Sequence, residues 1–420
     1  MTDTVVVGAG LAGLAAALRL AAAGRRVTVL ALGVGGLPLS PGVVDVLGYA
    51  PDRVERPGEA LDRLAAERPS HPYAVLGRAR VERALAWLRE AVDGYALVGG
   101  VERNMLLPTA VGVARPTAMA PETMAGGDLR AGGRYVVVGL RALRDLHARI
   151  AADNLARART PDGGGVEARA VLVEATPRPE AAEVAAPVFA RAMDGAGLRR
   201  QLADEIRPRL EPGEVVGIPA VLGMRDPHGA WSELQERLGT AVFEIPTPPP
   251  SVPGLRLNEI LSAAIRRHGG RIVIGPQVVG AERAGGGIRA LVAETSGRRR
   301  AYEARSFVLA PGGFESGALH LDSRGTLRER ALGLPLAGVP DDGLPPFSAG
   351  YWDDHPILRA GVAVDERMRP VDADGRVVHP NLRAAGAILA GATPWREKSG
   401  EGIAVASGVA AADAILEEGG

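Results

Sequence analysis

The 420-residue chain contains no cysteine. That excludes disulfides, a redox-active CxxC pair, thiolate zinc sites and cysteine-ligated iron–sulfur clusters within it. Any cluster it serves sits in another polypeptide. Lysine is nearly absent too: Lys398 is the single one, so almost all positive charge is arginine. Lys and Arg number 49 and so do Asp and Glu, which leaves no electrostatic footprint for nucleic acid or an anionic membrane surface. Local basic runs such as Arg298-Arg299-Arg300 read as a solvated turn. No uninterrupted apolar run reaches the roughly 18 residues that a spanning helix needs. An early apolar stretch ends in Ala21-Ala22-Ala23, yet Asp3 stands where a secretory leader is basic, and glycines interrupt the run. These absences predict a soluble, cytoplasmic protein.

Near the amino terminus, Val5-Val6-Val7 runs into Gly8-x-Gly10-x-x-Gly13, a helical pattern over Leu11–Ala23 and a second apolar run, Val27–Leu30. Strand, turn, helix and strand in that order predict a βαβ unit with parallel pairing. The first glycine permits the tight turn, the second lets phosphate approach the backbone, and the third allows close helix–strand packing. The helix N-terminus then faces the phosphate. A nucleotide cofactor is expected against Gly8, Ala9, Gly10, Leu11, Ala12 and Gly13, with a merely structural Gly-rich turn as the plainer alternative. An acidic residue usually ends the second strand and accepts hydrogen bonds from the adenosine ribose; here Ala31 occupies that place.

A Gly- and Pro-rich loop, Gly33 to Pro57, precedes helical patterns at Glu59–Glu67 and Arg78–Val92. From about Asn104 apolar segments (Met105–Ala114, Tyr135–Gly139, Val166–Val173) alternate with helical ones (Arg141–Leu155, Pro187–Ile206). Tyr135–Gly139 lacks the glycine fingerprint, so this second α/β unit is expected to hold no phosphate. Pro246–Pro253 cannot be a helix and reads as a hinge or rigid crossing. Beyond it come a helix over Leu255–His268, a strand at Arg271–Ile274, a pair at Val278–Arg283 and Ile288–Glu294, and a strand at Ser306–Ala310. The tail has a strand at Leu382–Ala385, a Gly-rich loop and a helix from about Gly402 to Leu416.

Phe307–Gly313 resembles the apolar strand ending in Ala-Thr-Gly-Gly of two-domain flavoproteins, with Pro311 in place of Thr. Asn381–Ser407 resembles their carboxy-terminal segment. By that resemblance Gly312, Gly313, Gly386, Gly400 and Gly402 join the cofactor-binding set. The implied fold class is α/β: a Rossmann-like two-domain flavoprotein of the FAD/NAD(P)-binding type, three-layer β/β/α, with an inserted α/β cap domain. Expected boundaries are 1–60, 251–335 and 371–420 for the flavin-binding domain, 61–250 for the cap or partner-facing region, and 336–370 for a connecting segment.

Over nearly its whole length the chain also resembles the B subunits of anaerobic glycerol-3-phosphate dehydrogenase, within the fumarate-reductase-like flavoproteins. The resemblance rests on LSPGVVDVL (Leu39–Leu47), HPY (His71–Tyr73), PTPPPSVPGLRL (Pro246–Leu257), GGFESGAL (Gly312–Leu319), RERALGLPL (Arg328–Leu336), GVAVDERMRP (Gly361–Pro370) and NLRAAGAILAGATP (Asn381–Pro394). It implies a three-chain complex with the glycerol-3-phosphate dehydrogenase A subunit and an iron–sulfur C subunit. The C subunit anchors the complex to the inner face of the membrane and passes electrons to quinone. FMN is the favoured cofactor, since FMN has no adenosine ribose for an acid at position 31 to hold; FAD is the alternative. The substrate implied is glycerol 3-phosphate, oxidised to dihydroxyacetone phosphate. A base must then take the hydroxyl proton, and an Arg or Lys suits the phosphate. Candidates are Ser40, Asp45, His71, Arg256, Arg328 and Lys398, each with a duller reading: Asp45 as a turn acceptor, His71 as a loop residue, Arg256 as a helix-surface charge. Two other functions fit the same motifs, a self-sufficient oxidoreductase of the fumarate-reductase or ketosteroid-dehydrogenase type and a cofactor-free assembly scaffold.

Overall fold

Strands made almost wholly of Val and Leu are stable only where both faces are covered, and the first two strands of this chain are buried at every position. In the computed structural model, which describes residues 2–340 and 345–418, these are Thr4–Val7 (β1) and Val27–Ala31 (β2), joined by the helix Leu11–Ala22 (α1). β1 is the middle strand of a five-stranded sheet: Arg271–Ile274, β2, β1, Ser306–Leu309, Leu382–Ala384. Every neighbouring pair is parallel.

Helices Val252–Arg267 and Gly400–Glu418 pack against α1. The approach of the last is close: a Cβ on Gly408 would lie 2.4 Å from the Ala12 carbonyl oxygen. An antiparallel meander, Gln277–Ala284, Gly287–Thr295 and Arg298–Glu303, brings Val278, Ile288 and Leu291 into the same core. Meander, parallel sheet and helices give the expected β/β/α layers. Leu61, Leu85, Leu88 and Val101 also belong to this core.

A second, four-stranded sheet is ordered Val242–Ile245, Glu214–Pro219, Gly133–Leu140, Val166–Val173, again with parallel neighbours. Its strands Gly133–Leu140 and Val242–Ile245 share one apolar cluster with the helix Ala148–Leu155 and another with the helices Ala186–Met193, Ala196–Ile206 and Pro227–Leu238. Between the sheets runs the Pro-rich segment, which leaves Ile245 and enters the helix at Val252. Ser251 accepts the Gly254 amide at 3.3 Å as N-cap. Pro253 sits in the first helical turn, where its missing N–H has no partner to lose.

Three local expectations differ. Helix forms only over Ala148–Leu155 of Arg141–Leu155. Pro187–Ile206 is broken at Gly195 into two helices. Arg298-Arg299-Arg300 is the start of the meander's exposed edge strand, where charge guards against strand-to-strand aggregation. Of the connecting segment 336–370, positions 341–344 lie outside the described residues.

Candidate functional site

Two of the three fingerprint glycines are required by the protein's own packing. Gly8 has φ +101°, and a Cβ there would sit 2.1 Å from the Ala310 carbonyl oxygen. A Cβ on Gly13 would sit 2.1 Å from the Gly8 carbonyl oxygen, where α1 presses on the turn. Gly10 differs: its φ is −77°, open to any residue, and nothing lies within 4 Å of where its Cβ would be. No side chain caps α1, and Gly10 accepts the Leu14 amide at 2.9 Å. The first-turn amides face space that suits an anion. Around the mouth of this cradle Gly35 comes back over Ala9, Gly313 abuts Ala387, and Gly386 abuts Ala12. These residues fit a phosphate-bearing cofactor.

Gly402 serves another purpose. Its amide donates to the Asp45 carbonyl at 2.9 Å, and a Cβ would lie 2.5 Å from the Tyr73 hydroxyl. The expectation that it touches flavin is corrected on that ground: its α-hydrogen face is filled by protein.

The loop Ser40–Tyr49 is stitched to the tail. Gly48 and Tyr49 amides donate to the Glu397 carbonyl at 2.8 and 3.0 Å, and the Tyr73 hydroxyl donates to the Val46 carbonyl at 2.6 Å. This stitching gathers a buried charged cluster. Arg115, on the strand Ala114–Thr117, turns both Nε (2.7 Å) and Nη2 onto Oδ2 of the fully buried Asp45. Ser40 Oγ donates to Glu401 Oε1 at 3.2 Å. The stem of Lys398 lies against Gly48. Burial raises Asp45, opposed by the Arg115 charge. Burial and then the Asp45 charge push Glu401 up to about 7, and burial followed by Arg115 lowers Lys398. Ser40, Asp45 and Lys398 are thus brought together. Arg115 and Glu401 complete the group.

Beside Arg115 lies a cavity of about 260 Å³, walled by Leu39, Pro41 and Leu107 and by Thr117 and Thr247. It is sized for a small molecule. Carboxylates and cations of graded basicity next to such a cavity are the equipment of proton transfer and anion orientation.

A family model described as "FAD binding domain" matches residues 3–403. A Halobacterium salinarum protein named as a probable B subunit of anaerobic glycerol-3-phosphate dehydrogenase is 33% identical over 99% of this chain and 98% of its own length. The Pectobacterium carotovorum protein named as the B subunit of the same enzyme is 31% identical over 99% of both chains. This chain belongs to the B-subunit family of anaerobic glycerol-3-phosphate dehydrogenase. Among solved structures, the 3-ketosteroid Δ1-dehydrogenase of Sterolibacterium denitrificans aligns at 12% identity and TM-score 0.47 over 99% of each chain. A flavocytochrome c3 fumarate reductase aligns at 11% and 0.46 over 99% of this chain and 78% of that one.

For this B-subunit family member the matching model is an FAD-binding one, so FMN as the favoured cofactor finds no support there. Ala31 is buried, and its carbonyl accepts the Gly275 amide at 2.8 Å. It offers a ribose nothing, but one missing acceptor does not remove the rest of the cradle.

Three expected site residues of this family member lie elsewhere. His71 is buried as the N-cap of the short helix Pro72–Leu76: Nδ1 accepts the Tyr73 amide at 3.1 Å and Nε2 lies 3.1 Å from Glu397 Oε2. Arg256 is not a helix-surface charge. It is fully buried, paired through both terminal nitrogens with Glu244 at 2.7 and 2.9 Å, with Nε on the Gly223 carbonyl. Arg328 is exposed on the two-stranded ribbon Leu319–Leu321/Leu327–Glu329. Sequence spacing could not separate these from the Asp45 cluster, since a His before a helix, an Arg within one or an Arg on a strand reads alike whether it faces protein or ligand.

Glu397 gives a pH prediction. Burial raises its pKa, but His71 and Arg68 outweigh that and hold it at about 2 against an ordinary 4.5. A depressed acid contributes its stability fully above its unfolded pKa and loses it as pH falls through the folded one. About 3 kcal/mol is therefore expected to disappear between those two values. Urea unfolding of the parent and Glu397→Gln chains should converge across that interval; a constant gap would contradict the assignment.

Proposed function

We propose that this chain is the flavin-bearing B subunit of a glycerol-3-phosphate:quinone oxidoreductase. In this reading it takes part in oxidising sn-glycerol 3-phosphate to dihydroxyacetone phosphate together with an A subunit. Electrons leave through an iron–sulfur C subunit that holds the complex at the inner face of the membrane. The carrying observation is the buried Asp45–Arg115–Glu401–Lys398 cluster beside a small cavity, in a chain matched end to end by B subunits. Absence of cysteine places any cluster outside this chain, and no helix among the described residues is long and apolar enough to cross a membrane.

A bound flavin supplies the hydride acceptor. Gly8 to Gly13 hold its phosphate, with Gly312, Gly313, Gly386 and Gly400 around the cradle. A carboxylate of the Asp45/Glu401 pair takes the hydroxyl proton, and the neighbouring cations orient the substrate anion. We read the flavin as FAD, following the FAD-binding family match, with FMN as the reading that Ala31 favours. Chromatography of the flavin released by denaturing the purified chain is expected to show FAD in stoichiometric amount. FMN would restore the weight of Ala31, and no flavin would leave the scaffold reading.

A further inference from the structure

Among the described residues, seven buried side-chain polar atoms lack a hydrogen-bond partner, and two of them, Thr117 Oγ1 and Thr247 Oγ1, line one cavity; the Thr117 hydroxyl also faces the Asp45 carboxylate. Thr117 is 1% and Thr247 6% exposed, and both line the cavity beside Arg115. Unpaired buried polar groups in one place mark a site whose occupant completes their bonding. Arg115 is under-used in the same way: its Nε and Nη2 converge on one oxygen of Asp45, although a guanidinium fork matches two acceptor oxygens. The donors available at the cavity are therefore a cation and two hydroxyls on separate strands and loops. An anion with several oxygens set tetrahedrally can meet all three, whereas a planar carboxylate meets fewer.

We infer that this cavity binds a small phosphoryl anion on Arg115, Thr117 and Thr247, and that the anion takes Arg115 away from Asp45, whose charge is then covered by a proton shared with Glu401. The groups facing that carboxyl pair are Arg115 and Thr117 from the strand Ala114–Thr117, Lys398 ahead of the last helix, Tyr73 from the helix Pro72–Leu76, Ser40 from its own loop, and Tyr49 next to Arg115. Of these, Arg115 and Lys398 are the cations, so shifting Arg115 toward a ligand leaves two buried carboxylates with Lys398 alone. Two carboxylates at one buried site do not both stay ionised. Glu401, already held near neutrality by burial and Asp45, is where the proton is found. One carboxylate of the pair stays free to take a substrate proton. The inference rests on the proposed function for placing a substrate anion beside these cations and for the choice of sn-glycerol 3-phosphate as probe.

Calorimetric titration of the flavin-loaded full chain with sn-glycerol 3-phosphate, inorganic phosphate and glycerol, each in two buffers of different ionisation enthalpy, tests it. The phosphate-bearing probes should bind with net proton uptake and glycerol should not bind. Affinity should weaken as pH rises above 7, by up to about tenfold per unit, because binding consumes up to one proton. Arg115→Met should weaken binding by about tenfold or more; since it leaves Asp45 unpaired, the charge-balanced Asp45→Asn/Arg115→Met chain is the second variant. Glu401→Gln should bind with the protein's share of the proton uptake abolished, leaving only the exchange and pH dependence that the probe's own second ionisation brings. No binding of either phosphate-bearing probe at about 10 mM overturns the inference, as does unchanged affinity in both Arg115 variants, or binding without proton uptake. Each of these outcomes is read without turnover, so a chain that carries flavin yet fails here keeps the flavin-bearing role and loses only the placing of the substrate anion on these cations. A chain without flavin fails that function and can still be titrated.

Discussion

Gly10→Ala is expected to strip the chain of flavin, lowering the bound fraction by about tenfold or more, while its unfolding barely changes. The backbone there already has a φ of −77° and open space where a methyl would go. Within the protein the substitution meets no clash; exchanging Gly for Ala at an N-cap costs up to about 1 kcal/mol. The methyl instead occupies the room through which a phosphate reaches the helix amides. Gly13→Ala is the contrast, because its Cβ would collide with the Gly8 carbonyl at 2.1 Å. That chain should lose flavin and stability together. Absorbance ratios and urea midpoints for the two variants separate cradle from scaffold. Flavin retained in full by Gly10→Ala would place the phosphate elsewhere.

Arg256→Met is expected to cost about 3 to 5 kcal/mol of stability, since it leaves the buried Glu244 carboxylate without its counter-charge. Glu244 would keep only the Thr123 hydroxyl at 2.8 Å and the Leu222 amide at 2.8 Å. Adding Glu244→Gln should recover part of the loss, because no buried charge remains, the amide carbonyl can accept the Leu222 amide, and the Thr123 hydroxyl can turn to accept from the side-chain NH2. The pair ties the helix Val252–Arg267, which lies on α1, to the strand Val242–Ile245 of the second sheet. Its loss should therefore loosen the joint between the two sheets. Denaturant unfolding of single and double variants measures it. A stable Arg256→Met chain with lost turnover would return Arg256 to the catalytic candidates.

The inner strands of the five-stranded sheet were legible because Val5–Val7, Val27–Leu30 and Phe307–Leu309 are short, largely apolar runs, and burial on both faces demands that pattern. Val166–Val173 and Arg271–Ile274 agree with the reading residue for residue. The strand Glu214–Pro219 escaped notice because it opens on an ionic residue, Glu214, that pairs with Arg169 of Val166–Val173, one strand further across the sheet. Within the site, Asp45 and Lys398 were visible as polar residues in Gly-rich loops. Arg115 was not, in a chain whose positive charge is almost all arginine. Glu401 reads as an ordinary acid at a helix start, and only the fold shows that it is buried against Ser40. Arg256 failed in the opposite sense: its spacing after the Pro-rich crossing is real, but the crossing delivers it into protein.

The position of β1 has a consequence for how the chain is made. β1 pairs with Ser306–Leu309 on one side, and α1 lies under the helix Gly400–Glu418 with Gly408 against Ala12. The Gly-rich turn is thus enclosed only once segments far along the chain have docked on it. Throughout synthesis its apolar flanks wait for partners some 300 to 400 positions away, a separation that slows closure and exposes the nascent chain to aggregation. A cofactor seated on this turn would be enclosed as the helix Gly400–Glu418 docks on α1.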